Sequence, residues 1–305
     1  MTSPPRCSVI SAEIDEPQAG TAATASAWLC LEQPGPWGRD ALLNSHLDRE
    51  LGAELSRRVA GTGVRILLVR RPDQHADTHM SSRRRVYLAS TAPGATWLEQ
   101  ADLAHPEELL ELDFAALGAG RSTGFGDPVD SPLLLLCTNG RRDVCCALFG
   151  RPVVAALAES HPGAVWECTH TGGHRFAPTG VLLPSGYLYG RLDGGFAEHV
   201  LGEAALGRIV AQRCRGRSCW SPPGQAAELA VRERIGETAD VLVVSDEQRL
   251  SDGSWAVAVR HRDGRQWLVV LRERPLPARP ASCGKQPDVQ TVLVAASVDE
   301  LAAVG

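Results

Sequence analysis

Four consecutive leucines, Leu133 to Leu136, stand between a proline and the stretch "CTNGRRDVCC" (137–146). A run so short and wholly apolar, bounded by turn-forming residues, reads as a strand buried on both faces. Such a strand needs a covering layer on each side of its sheet, which is the α/β arrangement. The surrounding chain fits. After the leucine strand come a Gly/Arg loop, a helix around "PVVAALAES", a strand "AVWECTH", a Gly-rich loop and "TGVLLPSGYLYGRL".

The first half has the same order in outline. "SAWLCLE" (26–32) reads as a strand, "QPGPWG" as a loop, 44–60 as a helix with Leu47, Leu51, Leu55 and Val59 spaced four apart, and "VRILLVRR" and "RRVYLAS" as strands. The two halves therefore read as tandem copies of one β-loop-α-β-β plan, matched in pattern rather than identity. "GAGRSTGFGDPVDSP" (118–132) has linker composition between them. After the helix expected in "LDGGFAEHVLGEAALGRIVAQR", the stretch "CRGRSCWSPPG" (214–224) again reads as loop. A third, α+β unit follows, with a helix in "PGQAAELAVRERIG", a hairpin around Asp263 and Gly264, a Pro-rich loop (274–287) and the strand "VQTVLVAAS". The expected units are 1–125, 126–213 and 214–305.

Composition removes several functional classes. With 44% hydrophobic and 22% charged residues the chain is an ordinary folding sequence. A net charge of -5 and no basic run longer than "RRR" (83–85) argue against a nucleic-acid partner. Neither an apolar leader nor eighteen consecutive apolar residues occur, so the expectation is a cytoplasmic protein without a membrane partner. In a reducing compartment nine cysteines, an odd set, point to metal binding, redox chemistry or burial rather than to structural disulfides.

The leucine strand delivers Cys137 to the carboxyl edge of the sheet, where open α/β sheets bind ligands. Asp143 is placed to cap a helix whose first turn holds Cys145 and Cys146, and a thiolate there gains from the helix field and from Arg141 and Arg142. His170 and His174 have the i, i+4 spacing of two ligands on one helix face. Gly172 and Gly173 would each cost such a helix roughly 1 kcal/mol, so a loop is expected instead. Singly, each of these cysteines and histidines reads as a buried or surface residue. Together, two pairs in two Gly-containing loops at strand ends point to a metal or redox site, and the spacing does not name the metal.

"CTNGRRDVCC" and "HTGGHRF", with "WLCLEQPGPWG" before and "RGRSCWSPPGQAAE" after, resemble the sucrase/ferredoxin-like family of thioredoxin-like ferredoxins over most of the chain. The resemblance implies a thioredoxin-like ferredoxin domain in the middle third, a related cluster-free half before it and a small α+β domain after it. It also implies a [2Fe-2S] cluster held by two cysteines nine positions apart, matched by Cys137 and Cys146, and two histidines four apart, matched by His170 and His174. Cys145 adjoins the second cysteine ligand, and the correspondence favours Cys146. The implied role is electron transfer between redox protein partners. No motif marks two carboxylates flanking a glycosidic bond, so the "sucrase" of the name has no counterpart here.

Two readings compete: a structural Cys2His2 zinc site, and a thiol oxidoreductase using Cys145 or Cys146, which lacks a Cys-x-x-Cys pair. Arg142, Asp143 and Arg175 are candidates for tuning the centre. Cys168 is expected to be packed, and Cys214, Cys219 and Cys283 to be ordinary thiols. His75 and His79 repeat the four-residue spacing without a cysteine pair, so the first half is expected to lack a cluster.

Overall fold

The computed structural model describes residues 6–72 and 83–302; His75 and His79 lie outside them. In chain order the first half contains α1 (Cys7–Glu13), β1 (Ala27–Glu32), α2 (Ala41–Asn44), α3 (Arg49–Val59), β2 (Val64–Arg70), β3 (Arg84–Ser90), β4 (Trp97–Leu103), α4 (Phe114–Gly118) and the short β5 (Asp127–Pro128). The second contains β6 (Leu133–Cys137), α5 (Val144–Ala158), β7 (Val165–Cys168), β8 (Gly180–Leu183), β9 (Tyr187–Tyr189) and α6 (Gly194–Ala205). Then follow β10 (Cys214–Arg217), α7 (Pro222–Ile235), β11 (Leu242–Arg249), β12 (Trp255–His261), β13 (Gln266–Pro275), β14 (Arg279–Pro280), β15 (Pro287–Asp288) and β16 (Thr291–Glu300).

Strands β1 to β10 form one mixed sheet in the order β10-β9-β8-β6-β7-β2-β1-β3-β4-β5. The repeated plan is visible in it. In the first half β1 runs parallel to β2 and antiparallel to β3, which is antiparallel to β4. In the second, β6 runs parallel to β7 and antiparallel to β8, which is antiparallel to β9. The halves meet where β2 and β7 pair antiparallel through two residue pairs, Val69 with Cys168 and Arg70 with Glu167. Because only the carboxyl ends of these strands overlap, the loop after β7 is laid along β2 of the other half.

Burial follows the strand period. Leu133, Leu135 and Cys137 face one apolar cluster with Trp28, Tyr87, Trp166 and Cys146, while Leu134 and Leu136 face another with α5 and α6. The leucine strand is thus covered on both sides, each buried leucine contributing about 1.5–3 kcal/mol. Across the seam Arg70 Nη2 donates to Glu167 Oε2 at 2.5 Å, and the Thr138 hydroxyl donates to the same oxygen. Helix α7 lies between the large sheet and the four-stranded sheet β11-β12-β13-β16, giving Leu229 to one side and Ala227 and Val231 to the other.

Four local readings change. Residues 214–217, read as loop, form β10 and pair with β9: "CRGR" carries no alternating apolar signal, yet all four residues are buried. The polar "WLEQADL" forms β4, and β11 begins at Leu242, where no strand was read. The helix expected at 44–60 starts at Arg49, where the Asp48 side chain accepts from the Leu51 N–H. Among the described residues no helix is long and apolar enough to cross a membrane.

Candidate metal centre

Cys137 ends β6 beside Cys168 and is fully buried. The chain then turns tightly: Asn139 Oδ1 accepts from the Arg141 N–H at 3.2 Å, and its carbonyl accepts from the Arg142 N–H at 3.1 Å. Asp143 caps α5 as the sequence led one to expect, its carboxylate accepting from the Cys145 N–H at 2.9 Å. A Cβ on Gly150 would stand 2.5 Å from the Cys137 carbonyl oxygen, so α5 rests on the strand end at a distance only glycine permits.

The histidine loop is held from across the seam. Thr169 donates its N–H to Leu68 O at 2.9 Å, and its hydroxyl accepts from the Leu68 N–H at 3.1 Å. Arg65 then donates to the His170 carbonyl at 3.2 Å. Gly172 and Gly173 adopt φ of +84° and +66°, and a short 3₁₀ turn runs from His174 to Phe176. The pair is therefore in a loop, as its glycines require.

Cys137, Cys146 and His170 each bring a ligating atom within 4.8 Å of the others. His174 is not one of that close group; its ring lies beside that of His170, the centroids 5.2 Å apart. Both Nδ1 atoms are buried with no hydrogen-bond partner among the described residues, and such orphaned acceptors fit metal ligation. Two soft sulfurs with two imidazoles suit iron–sulfur or zinc chemistry. His174 Nε2 lies 3.8 Å from Asp143 Oδ2.

Hydrogen bonding from Cys146 holds the Cys137 thiol well below its ordinary pKa, against burial and with help from His170. The shared proton stays on Cys146, whose pKa rises through that same contact and through burial. Burial lowers the His174 pKa, with Asp143 opposing, which favours the neutral imidazole that metals bind.

Adjacent helix residues point about 100° apart, so Cys145 faces away from this group. It meets Cys7 and Cys283, with Asp143 alongside, in a second set of side chains able to hold a metal. There a hydrogen bond from Cys7 lowers the Cys145 pKa to about 6, while burial raises Cys283 to about 11. Cys283 thus departs from the ordinary-thiol reading. Cys214 is buried and donates to Leu188 O, and burial raises Cys219 to about 12. Arg175 pairs with Glu16 at 2.7 Å.

Two supporting residues have no sequence signature. Arg215, 1% exposed, donates to Gly172 O at 3.0 Å and to Thr21 O, clamping the histidine loop. Arg65 does the same at His170. Burial, with Arg175 nearby, brings the Arg215 pKa down to about 9.

Cys137, Cys146, His170 and His174 lie within a span, residues 18–216, that matches the family model described as Sucrase/ferredoxin-like. The chain belongs to the sucrase/ferredoxin-like family. No curated protein and no solved structure matches it. In this sucrase/ferredoxin-like chain, Cys7 and Cys283 fall outside the matched residues.

Proposed function

We propose that Cys137, Cys146, His170 and His174 hold a [2Fe-2S] cluster and that the protein is an electron carrier rather than an enzyme with its own substrate. The grouping of two buried cysteines with His170, beside a His174 whose Nδ1, like that of His170, has no partner among the described residues, supports this reading. When bound, the cluster supplies a one-electron couple whose potential is raised relative to a four-cysteine cluster, because two neutral imidazoles replace two thiolates.

The chain's own residues divide the remaining work. Trp28, Tyr87 and Trp166 exclude water on the cysteine side. The His174 side chain is 17% exposed and offers the edge at which redox protein partners would meet the centre. With Nδ1 as the ligating atom, His174 Nε2 keeps a proton facing Asp143, so electron transfer is coupled to pH. Arg65, half-buried, and Arg215, buried, place two positive charges behind the histidine loop.

The shared strand order of the two halves supports a thioredoxin-like reading for each, with 1–125 cluster-free, 126–213 carrying the cluster and 214–305 a small α+β domain. The pairing of β10 with β9 joins the third unit to the second. A cytoplasmic location accords with nine unpaired cysteines.

A single zinc ion is the second reading, favoured by the close grouping of Cys137, Cys146 and His170. Visible and EPR spectra of anaerobically purified wild type beside variants decide between them. Cys145→Ser is expected to keep the iron chromophore, Cys146→Ser to lose it, and His170→Ala and His174→Ala to shift or lose it. Unchanged spectra in both histidine variants refute the ligand assignment, and colourless wild type carrying zinc at this group selects the zinc reading.

A further inference from the structure

We propose that Cys7, Cys145, Cys283 and Asp143 form a second, mononuclear site for a thiophilic divalent cation, zinc(II) by its chemistry. The Sγ–Sγ distances are 3.4 Å for Cys145–Cys283, 3.6 Å for Cys7–Cys283 and 3.8 Å for Cys7–Cys145. The Asp143 oxygens lie 3.6 and 3.8 Å from Cys7 Sγ. A regular tetrahedron with Zn–S near 2.3 Å has sulfur–sulfur edges of about 3.8 Å, and a carboxylate oxygen near 2.0 Å gives sulfur–oxygen edges of about 3.5 Å. The cage already has the size of the ion.

Other uses of three thiols fit less well. All three are free, and their separations far exceed the roughly 2.05 Å of a disulfide. A sulfide-bridged cluster spreads its thiolates over several irons, whereas three sulfurs in mutual contact can share only one metal. The carboxylate as fourth ligand favours a borderline cation such as zinc.

The ligands come from the start of α1, the cap and first turn of α5, and the loop between β14 and β15. Such convergence from distant segments is not a product of local chain geometry. Cys7 and Cys145 are fully buried, and Asp143 is 5% exposed. Asp143 is oriented by the N–H groups of Cys145 and Cys283, both at 2.9 Å, which leave lone pairs for a metal. Four protein ligands make a closed, structural site. It would clasp both terminal segments to α5, with Asp143 between it and His174 Nε2 at 3.8 Å, and it stands whether iron or zinc fills the first centre.

Metal content and cobalt(II) titration test it. Anaerobic wild type is expected to carry one zinc besides the metal of the first centre, and after chelation to bind cobalt(II) with thiolate charge-transfer absorption. Cys283→Ser, at the most accessible ligand, and Cys7→Ser are expected to lose that zinc while keeping the first centre's metal. Their affinity should fall beyond the roughly 10–100-fold that loss of an outer-shell partner costs. Cys146→Ser is expected to do the reverse. The proposal is overturned if wild type binds no more zinc or cobalt than the Cys7→Ser/Cys283→Ser double variant, if the extra zinc follows Cys146 and the histidines, or if anaerobic protein contains a disulfide among the three thiols.

Discussion

Gly173→Ala is the most demanding substitution for this account of the histidine loop. Its φ of +66° lies in the left-handed region, which costs a residue with a Cβ about 1–2 kcal/mol. The new Cβ would also stand 2.3 Å from Arg215 Nη2 and 2.6 Å from its Cζ, so the guanidinium must move. Arg215 is buried and bonded to Gly172 O and to Thr21, and losing one such charged hydrogen bond costs about 1.5–3 kcal/mol. The expected destabilisation is therefore about 2.5–5 kcal/mol. Gly207→Ala is the control, because Gly207 has φ +71° with nothing within 4 Å of its Cβ direction and bears only the backbone part. Urea denaturation of both variants with intact metal content isolates the collision. If the two differ by less than about 0.5 kcal/mol, the ordinary scatter of surface substitutions, Arg215 does not clamp the loop and the reasoning fails.

Other consequences follow from the same contacts. Glu167→Ala leaves Arg70 buried and unpaired at the seam and is expected to cost about 3–5 kcal/mol by urea denaturation. Gly150→Ala, which in an open helix would gain roughly 1 kcal/mol, is expected instead to destabilise and to release iron, because its Cβ meets the Cys137 carbonyl. For metal-free protein, the lowered His174 pKa means that the unfolded chain binds the proton more readily. Its contribution to stability is complete above the ordinary value of 6.5 and is lost as pH falls from there toward the folded value. Denaturation against pH should show that slope in wild type and not in His174→Ala.

The parts of the fold legible in sequence were those with a strong period. The leucine strand, the amphipathic α3 and the Asp263–Gly264 hairpin each carry an unambiguous pattern, and each is found. Strands β4 and β10 were missed because their residues are polar and their burial comes from neighbouring strands and α7, a tertiary effect that no local period records. The grouping of Cys137, Cys146 and His170, with His174 beside His170, was legible because two pairs of metal-binding residue types sit at strand ends. Cys7 and Cys283 gave no such signal. They stand 276 residues apart and meet only because the terminal segments fold back onto α5. Arg65 and Arg215 were hidden for a related reason, since the loop contacts they make are to backbone carbonyls, which leave no trace in side-chain spacing.

The most direct measurement of the central claim is EPR of the reduced, anaerobically purified protein labelled with ¹⁵N-histidine. The account expects a signal from one [2Fe-2S] cluster coupled to two histidine nitrogens, one lost in His170→Ala and the other in His174→Ala. A two-iron signal without histidine-nitrogen coupling, or protein with neither iron nor labile sulfide, would contradict it.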